Sequence, residues 1–291
     1  MEKVTVELVR AFVANDEGGN PAGVVLNADS LSYKQKLEIA QSIGFPETAF
    51  IAQDSEADFR VSFFTVTEEV DFCGHATLAA FSVMYQKGML SAGRYKQRTK
   101  AGILEVEVQS DGEVILNQKL PERLGVFSYG DICELIGLDE HTLENTQLPI
   151  EAISTGLPDL ILPVPEGYLD SIEPNYSAII EFCREHDLVG LHIFELCSPE
   201  AIFFARCRNF APLVGIPEES ATGSSSGALA CYLSKYVEQR EEYLFEQGKA
   251  MKCTSNIHAY VQYDRGNVSS IAVGGLAKLT GSRDIVVNMM S

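Results

Sequence analysis

The chain has 291 residues, 46% of them hydrophobic and 22% charged, the composition of a folded globular protein long enough for one large domain or two of ordinary size. Lysine and arginine total 22 against 41 aspartate and glutamate, and a formal charge of -19 disfavours nucleic acid and anionic membrane surfaces as partners. A small anion is still admissible, because distant surface charge is screened beyond roughly 8 Å at physiological salt.

Taken in chain order, Val4, Val6 and Leu8 alternate as in a first strand over 4–13, without the basic and apolar regions of a signal peptide. No apolar run approaches the roughly 20 residues needed to cross a bilayer, so a soluble cytoplasmic chain is expected. A Gly-Gly-Asn-Pro turn at 18–21 leads to a strand over 22–27 and a helix over 32–43 with Gly44 as C-cap. Strands follow over 48–53 and 58–65, then a helix over 75–87 closed by Gly88, then strands over 93–99 and 102–118 folded back at Asp111-Gly112, a type I′ signal.

The second half repeats this order: a strand over 159–164 after Gly156-Leu157-Pro158, a helix from Pro174 to His186, strands over 190–196 and 201–207, and a helix starting at Gly223. Asn20-Pro21-Ala22-Gly23 parallels Gly156-Leu157-Pro158-Asp159, and Gly74-His75-Ala76 parallels Gly223-Ser224-Ser225. The period is far longer than the roughly 20 to 50 residues of solenoid repeats, so two related domains are read, 1–120 and 121–291, with the last strand free to return to the first. The runs from Ala76 to Tyr85 and from Gly227 to Leu233 have no polar face, and a helix apolar all round must be buried all round. The fold class expected is α+β, two pseudo-symmetric domains, each a curved, barrel-like, mostly antiparallel sheet around a central buried helix.

Each central helix begins with a small polar cluster, Cys73-Gly74-His75-Ala76 in one and Thr222-Gly223-Ser224-Ser225 in the other. First-turn N–H groups lack intrahelical acceptors and carry the positive end of the helix dipole, so two such ends facing one cleft would hold a small carboxylate. The seven cysteines (73, 133, 183, 197, 207, 231 and 253) are odd in number, with no C-x-x-C pair and no zinc spacing. Cys183, Cys197, Cys207 and Cys231 have apolar flanks and read as packing, whereas Cys73 stands at a helix start that favours a thiolate.

Gly19-Asn20-Pro21-Ala22-Gly23, Glu47 in Phe45-Pro46-Glu47-Thr48, Cys73-Gly74-His75-Ala76-Thr77 and Ala221-Thr222-Gly223-Ser224 together resemble the phenazine-biosynthesis PhzF-like family, of the diaminopimelate-epimerase fold. The resemblance runs from about residue 5 to about residue 280. It implies an active site between two similar domains, no metal or organic cofactor, and a homodimer. It also implies a glutamate that moves a proton across a dihydro-hydroxyanthranilate ring, helped by a histidine, an aspartate and a serine at the helix ends. These positions correspond to Glu47, His75, Glu219 and Ser224. Glu219 departs from the family's aspartate, and its extra methylene moves the carboxylate by more than about 1 Å.

The activity so implied is isomerisation of a small carboxylate by general acid/base catalysis. Glu47, His75 and Glu219 are the catalytic candidates; Cys73, Gly74, Ala76, Thr222, Gly223, Ser224 and Ser225 are the substrate-binding ones. Burial beside Phe45 and Phe50 is expected to raise the pKa of Glu47 toward neutrality. Taken alone, Thr222 and Ser224 are also ordinary helix-capping types, and His75 equally suits a capping role. Three alternatives stand beside the isomerase. One is a carboxylate-binding protein without turnover. A second, the two-thiol epimerase of the same fold, is disfavoured because Thr222 stands where the second cysteine belongs. The third is a serine hydrolase on Gly223-Ser224-Ser225-Ser226-Gly227, with Ser225 as nucleophile, Glu246 as acid and His258 as base.

Overall fold

A computed structural model describes residues 2–15 and 17–287 of the chain. Two compact units divide it: unit 1 runs to Asn117 and resumes at Gly274, and unit 2 is the intervening stretch from Gln118 to Val273.

Unit 1 comprises β1 (Glu2–Ala11), β2 (Asn20–Val25), α1 (Tyr33–Ile43), β3 (Glu47–Ala52), β4 (Phe59–Phe64), the short β5 (Glu69–Val70), α2 (Gly74–Gln86), β6 (Gly93–Thr99), β7 (Gly102–Val108) and β8 (Val114–Asn117), with the last strand, Ala277–Val287. That last strand lies antiparallel to β1, and the pairing continues through β2, β3, β4, β6, β7 and β8. Only β2–β3 and β4–β6 are parallel, because a helix rather than a tight turn joins each of those pairs: α1 crosses between the first and α2 between the second.

From His75 to Met84 every residue of α2 is buried. The helix packs against β1 and β2 near one end of the strand order and against β7 and β8 at the other, so the sheet curls around it. Close approach explains Gly23: a Cβ there would lie 2.8 Å from Thr48 Oγ1 on the neighbouring strand. On the outer face, α1 buries Ile39 and Ala40 against Val25, Phe50 and Phe64. Its ends follow local rules. Ser32 and Gln35 form a reciprocal capping box, and Gly44 closes the helix in the left-handed region at φ 73°.

Unit 2 comprises β9 (Glu122–Phe127), α3 (Tyr129–Ile136), α4 (Glu140–Glu144), β10 (Ile150–Ser154), β11 (Pro158–Pro163), α5 (Tyr176–Glu185), β12 (Gly190–Leu196), β13 (Ala205–Ala211), β14 (Ile216–Glu219), α6 (Gly223–Tyr236), β15 (Glu242–Gln247), β16 (Ser255–Asp264) and β17 (Asn267–Gly275). The pairing runs β9, β10, β11, β12, β13, β15, β16, with β14 on β13. The central helix α6 is buried from Ser225 to Ser234 and packs against β10, β11 and β16. A second apolar layer, with Ile132 and Leu135 of α3 and Ile179 of α5 against Leu160 and Leu191, covers the outside of this sheet.

The internal repeat is visible in the pairings. In unit 1, β2–α1–β3 is parallel, β3–β4 antiparallel, and β4–α2–β6 parallel; in unit 2, β11–α5–β12, β12–β13 and β13–α6–β15 repeat those senses in that order. The fold is thus the α+β, twice-built, epimerase-like class expected.

Two local expectations are corrected. Gly112 has φ 91° but Asp111 is not in the left-handed region, so the β7–β8 turn is not type I′; the Asp111 carboxylate instead accepts from the Glu113 N–H. The strand expected over 201–207 runs over 205–211, because the apolar Ile202, which suggested a strand, is 77% exposed in the loop after β12. The helices α3 and α4 lie outside the elements expected, although Ile132, Leu135 and Ile136 of α3 recur at helical spacing and are buried. No described helix is long and apolar enough to cross a membrane.

Truncation inside the sheathed helix tests this packing. Phe81 is fully buried, with its ring centroid 5.8 Å from Phe59 and 6.2 Å from Tyr95. Phe81→Ala is expected to lower unfolding free energy by about 3–5 kcal/mol, read by urea titration, whereas a loss under about 1 kcal/mol would show that the helix is not tightly enclosed.

Candidate active site

Period-two alternation and the α1 crossover fix the position of Glu47. It is the first residue of β3, in register with Ala22 of β2, directly after the Gly44-Phe45-Pro46 exit from α1. Alternation sends Phe50 to the opposite face, where it packs under α1 with Lys36 Nζ 5.7 Å from its ring centre, so Phe50 does not shelter Glu47 as expected. Glu47 lies on the face of β3 that looks toward α2, with its side chain 15% exposed.

Opposite it stands His75, second residue of α2, with a side chain 6% exposed and Nε2 3.2 Å from Glu47 Oε2. The distance is that of an ion pair, but the angles are not those of an aligned hydrogen bond, and Glu47 Oε2 has no hydrogen-bond partner among the described residues. Burial of this carboxyl group pushes its pKa from 4.5 up to about 7. A carboxyl group in that range can both give and take a proton near neutral pH.

The other ring nitrogen, Nδ1, is 3.4 Å from Cys73 Sγ. Glu47, Cys73 and His75 each offer a donor atom within 4.8 Å of the others, a grouping that invites comparison with a metal site. The ring turns Nδ1 to the thiol and Nε2 to the carboxyl group.

Among the described α-helices, the starts of α2 and α6 share one property. Ser32, Ser128, Asp139 and Asn175 each cap their helices through a side-chain oxygen, but neither Cys73 nor Thr222 makes a side-chain cap. The two central helices therefore keep first-turn N–H groups for something other than their own cap residue.

In unit 2, alternation along β14 separates two adjacent carboxylates. Glu218 is held by Arg208 through two bonds of 2.8 and 3.0 Å. Glu219, paired in register with Asn209, instead accepts a 2.6 Å bond from Thr222 Oγ1. Gln247, fully buried, donates to Thr222 Oγ1 and to the Glu219 carbonyl, and accepts from the Thr222 N–H. Thr222 thus orients Glu219 and does not cap the helix, and Gln247 fixes both. Gln247 was not among the sequence candidates, since a single glutamine in a strand carries no motif.

The first turn of α6 is held rigidly. Gln118 Nε2 donates to the Gly223 carbonyl and Thr155 Oγ1 to the Ser224 carbonyl. Gly227 makes room for Gln118, whose Oε1 would lie 1.9 Å from a Cβ at that position. Ser225 is fully buried: its hydroxyl donates to Asp159 at 2.6 Å and accepts from Asn209, which also contacts His192. Burial pushes Asp159 up to about 6 and His192 down to about 3, so this is a sealed polar cluster under the helix.

The Ser225 hydroxyl is thus committed to Asp159 and Asn209, and its main-chain N–H is the group that the helix-end reading assigns to an anion. The hydrolase set is dispersed: Glu246 pairs with Arg206 and His258 with Glu242, while Ser225 faces Asp159. In unit 1, Glu47, Cys73 and His75 come together as predicted; in unit 2, Glu219 joins Thr222 at the start of α6.

Sign and window follow for the buried acid. Ionisation begins near 4.5 in the unfolded chain but near 7 in the folded one, so protonated Glu47 contributes stability that is full below about pH 4.5 and is lost as pH rises through about 7. Glu47→Gln removes this dependence. Relative to wild type, the variant is expected to gain on the order of 3 kcal/mol between pH 4.5 and pH 8, measured by urea unfolding at both; a difference independent of pH would contradict the raised pKa.

Comparison with known proteins gives a consistent set of matches. A family model described as "Phenazine biosynthesis-like protein" matches residues 9–282. An isomerase-named protein of Deinococcus radiodurans is 34% identical over 282 residues, 92% of this chain and 90% of that one. Another, YfhB of Bacillus subtilis, is 31% identical over 265 residues, 86% of this chain and 87% of its own. Among solved structures, a Bacillus anthracis phenazine biosynthesis protein of the PhzF family superposes with a TM-score of 0.89 at 28% identity, covering 99% of this chain and all of that one (100%). A hydroxyproline epimerase from Agrobacterium vitis shares the fold at a TM-score of 0.61 and 12% identity, covering 98% of this chain and 91% of its own.

Proposed function

Since the chain belongs to the phenazine biosynthesis-like protein family, whose relatives are named as isomerases, we propose that it moves a proton on a small carboxylate substrate through Glu47, without an organic cofactor. One observation carries this reading: a nearly buried carboxyl group with a pKa of about 7, 3.2 Å from an imidazole nitrogen, beside a helix start with no side-chain cap.

In the reaction so read, ionised Glu47 removes a proton from a carbon adjacent to an unsaturated or carbonyl group. The resulting acid returns the proton to a second carbon of the same substrate. His75 keeps the carboxyl group directed and answers its change of charge. The main-chain N–H groups of Gly74, His75 and Ala76 hold the negative charge of the substrate, at little cost because the helix already points them outward. Unit 2 is read in the same terms. The N–H groups of Gly223, Ser224 and Ser225 serve as anion donors, and Glu219, oriented by Thr222, as a further acid/base group.

Incubation in D₂O with a panel of small carboxylates that includes the dihydro-hydroxyanthranilate, followed by mass spectrometry, tests the proposal. Wild type is expected to wash deuterium into one member, and Glu47→Gln to lose the exchange by about 10²–10⁴-fold with its fold unchanged. Binding without exchange would mark a carboxylate receptor. Near-normal exchange in Glu47→Gln would remove Glu47 from the role given to it.

A further inference from the structure

One group close to Glu47 has no part in that scheme. Cys73 is the residue before α2, extended at φ -145° and ψ 117°, and its side chain does not cap the helix. Its sulfur is directed at His75 Nδ1, 3.4 Å away, a normal separation for a hydrogen bond to sulfur. The backbone makes this direction stiff. Thr77 Oγ1 and Thr77 N–H both bond to the Cys73 carbonyl, at 2.8 and 3.0 Å, which fixes the peptide from which the thiol projects.

The other cysteines are differently placed. Cys183, Cys207 and Cys231 are buried, and burial pushes Cys183 and Cys231 up to about 12 and Cys207 higher than its ordinary value. Cys133 bonds the Tyr129 carbonyl within its own helix. The Cys73 thiol, by contrast, addresses an imidazole.

A neutral imidazole carries one proton, on one nitrogen or the other, and the partner of the first nitrogen decides what the second offers. We propose that Cys73 is a positioning residue: its S–H donates to Nδ1 of His75, which places the ring proton on Nε2, the nitrogen facing Glu47. The proton on Nε2 then faces the Glu47 carboxyl oxygen 3.2 Å away, and its positive charge favours the ionised form that removes a proton. Loss of the thiol removes this S–H donor and shifts the ring toward the other tautomer, which turns a lone pair on Nε2 toward Glu47 and disfavours the ionised acid. Cys73 thereby acts on the reaction through His75 and touches no reacting atom. This rests on the isomerase reading for its functional consequence, but the tautomer it sets is a property of the protein alone.

The test exploits that separation. Long-range ¹H–¹⁵N spectra of ¹⁵N-histidine protein, with His75 assigned by comparison with His75→Asn, report the tautomer of each of the five histidines without substrate. The Nε2-protonated form is expected in wild type and in Cys73→Ser, which retains a donor at the same place. In Cys73→Ala the Nδ1-protonated fraction is expected to rise at least about fivefold. Deuterium exchange, where a substrate has been found, is expected to fall about five- to tenfold in kcat with KM within about twofold in Cys73→Ala, and to recover in Cys73→Ser. The same tautomer in wild type, Cys73→Ser and Cys73→Ala overturns the proposal, as does an Nδ1-protonated ring in wild type. Lack of exchange by any form overturns the isomerase reading and leaves the tautomer result to stand or fall by itself.

Discussion

Enclosure of a helix by a curled sheet governs the rest of this molecule. In unit 1 the apolar surface of α2 is covered on all sides by strands, and full burial of side chains such as Leu78 and Phe81 contributes about 1.5–3 kcal/mol each. That degree of cover leaves no solvent-facing side, so a polar group on the helix has a place only where the sheath ends. His75 lies at that point. The N-terminal turn, with its outward N–H groups, is the open end of an otherwise closed structure, and a strand that begins beside it can present a carboxyl group there. Glu47 is the first residue of such a strand.

The same enclosure sets the electrostatics. A carboxylate with 15% of its side chain exposed is poorly solvated, and the proximity of His75 does not restore an ordinary pKa, because the two groups are close without being well aligned. The chain as a whole carries a charge of -19, yet the function proposed puts an anion at this site. Distance reconciles the two: helix N–H groups act at contact, whereas scattered surface carboxylates act through screening water. Unit 2 handles its own carboxylates differently: Arg208 pairs with Glu218, and the Thr222 hydroxyl donates to Glu219.

Much of this was legible in the sequence, for identifiable reasons. The runs Ala76 to Tyr85 and Gly227 to Leu233 lack a polar side, which is enough to require enclosed helices; Ser32 and Gly44 bracket α1 by capping rules alone. The grouping of Glu47 with His75 came from the family resemblance, since the residues are 28 positions apart and no local rule joins them. Other features were hidden because tertiary partners decide them. Ser225 resembles a surface nucleophile in sequence, but helix periodicity turns it inward onto Asp159. Ile202 resembles a strand residue and is in a loop, while the strand itself runs on through Arg208 and Asn209, polar residues that a pattern of alternation passes over. Gln247 is invisible until β15 is folded beside the start of α6.

The pairing of β1 with Ala277–Val287 carries a consequence for the order in which the units can close. Unit 2 is one continuous stretch, so every residue it needs has been added once Val273 has been, whereas unit 1 lacks the strand Ala277–Val287 until unit 2 has been made. Val4, Val6 and Val9 of β1 therefore wait to be covered while the whole of unit 2 is synthesised. The contact closes a loop that contains all of unit 2, and pairing at such range is slow to form. Loss of Ala277–Val287 would strip one flank of the sheet that encloses α2.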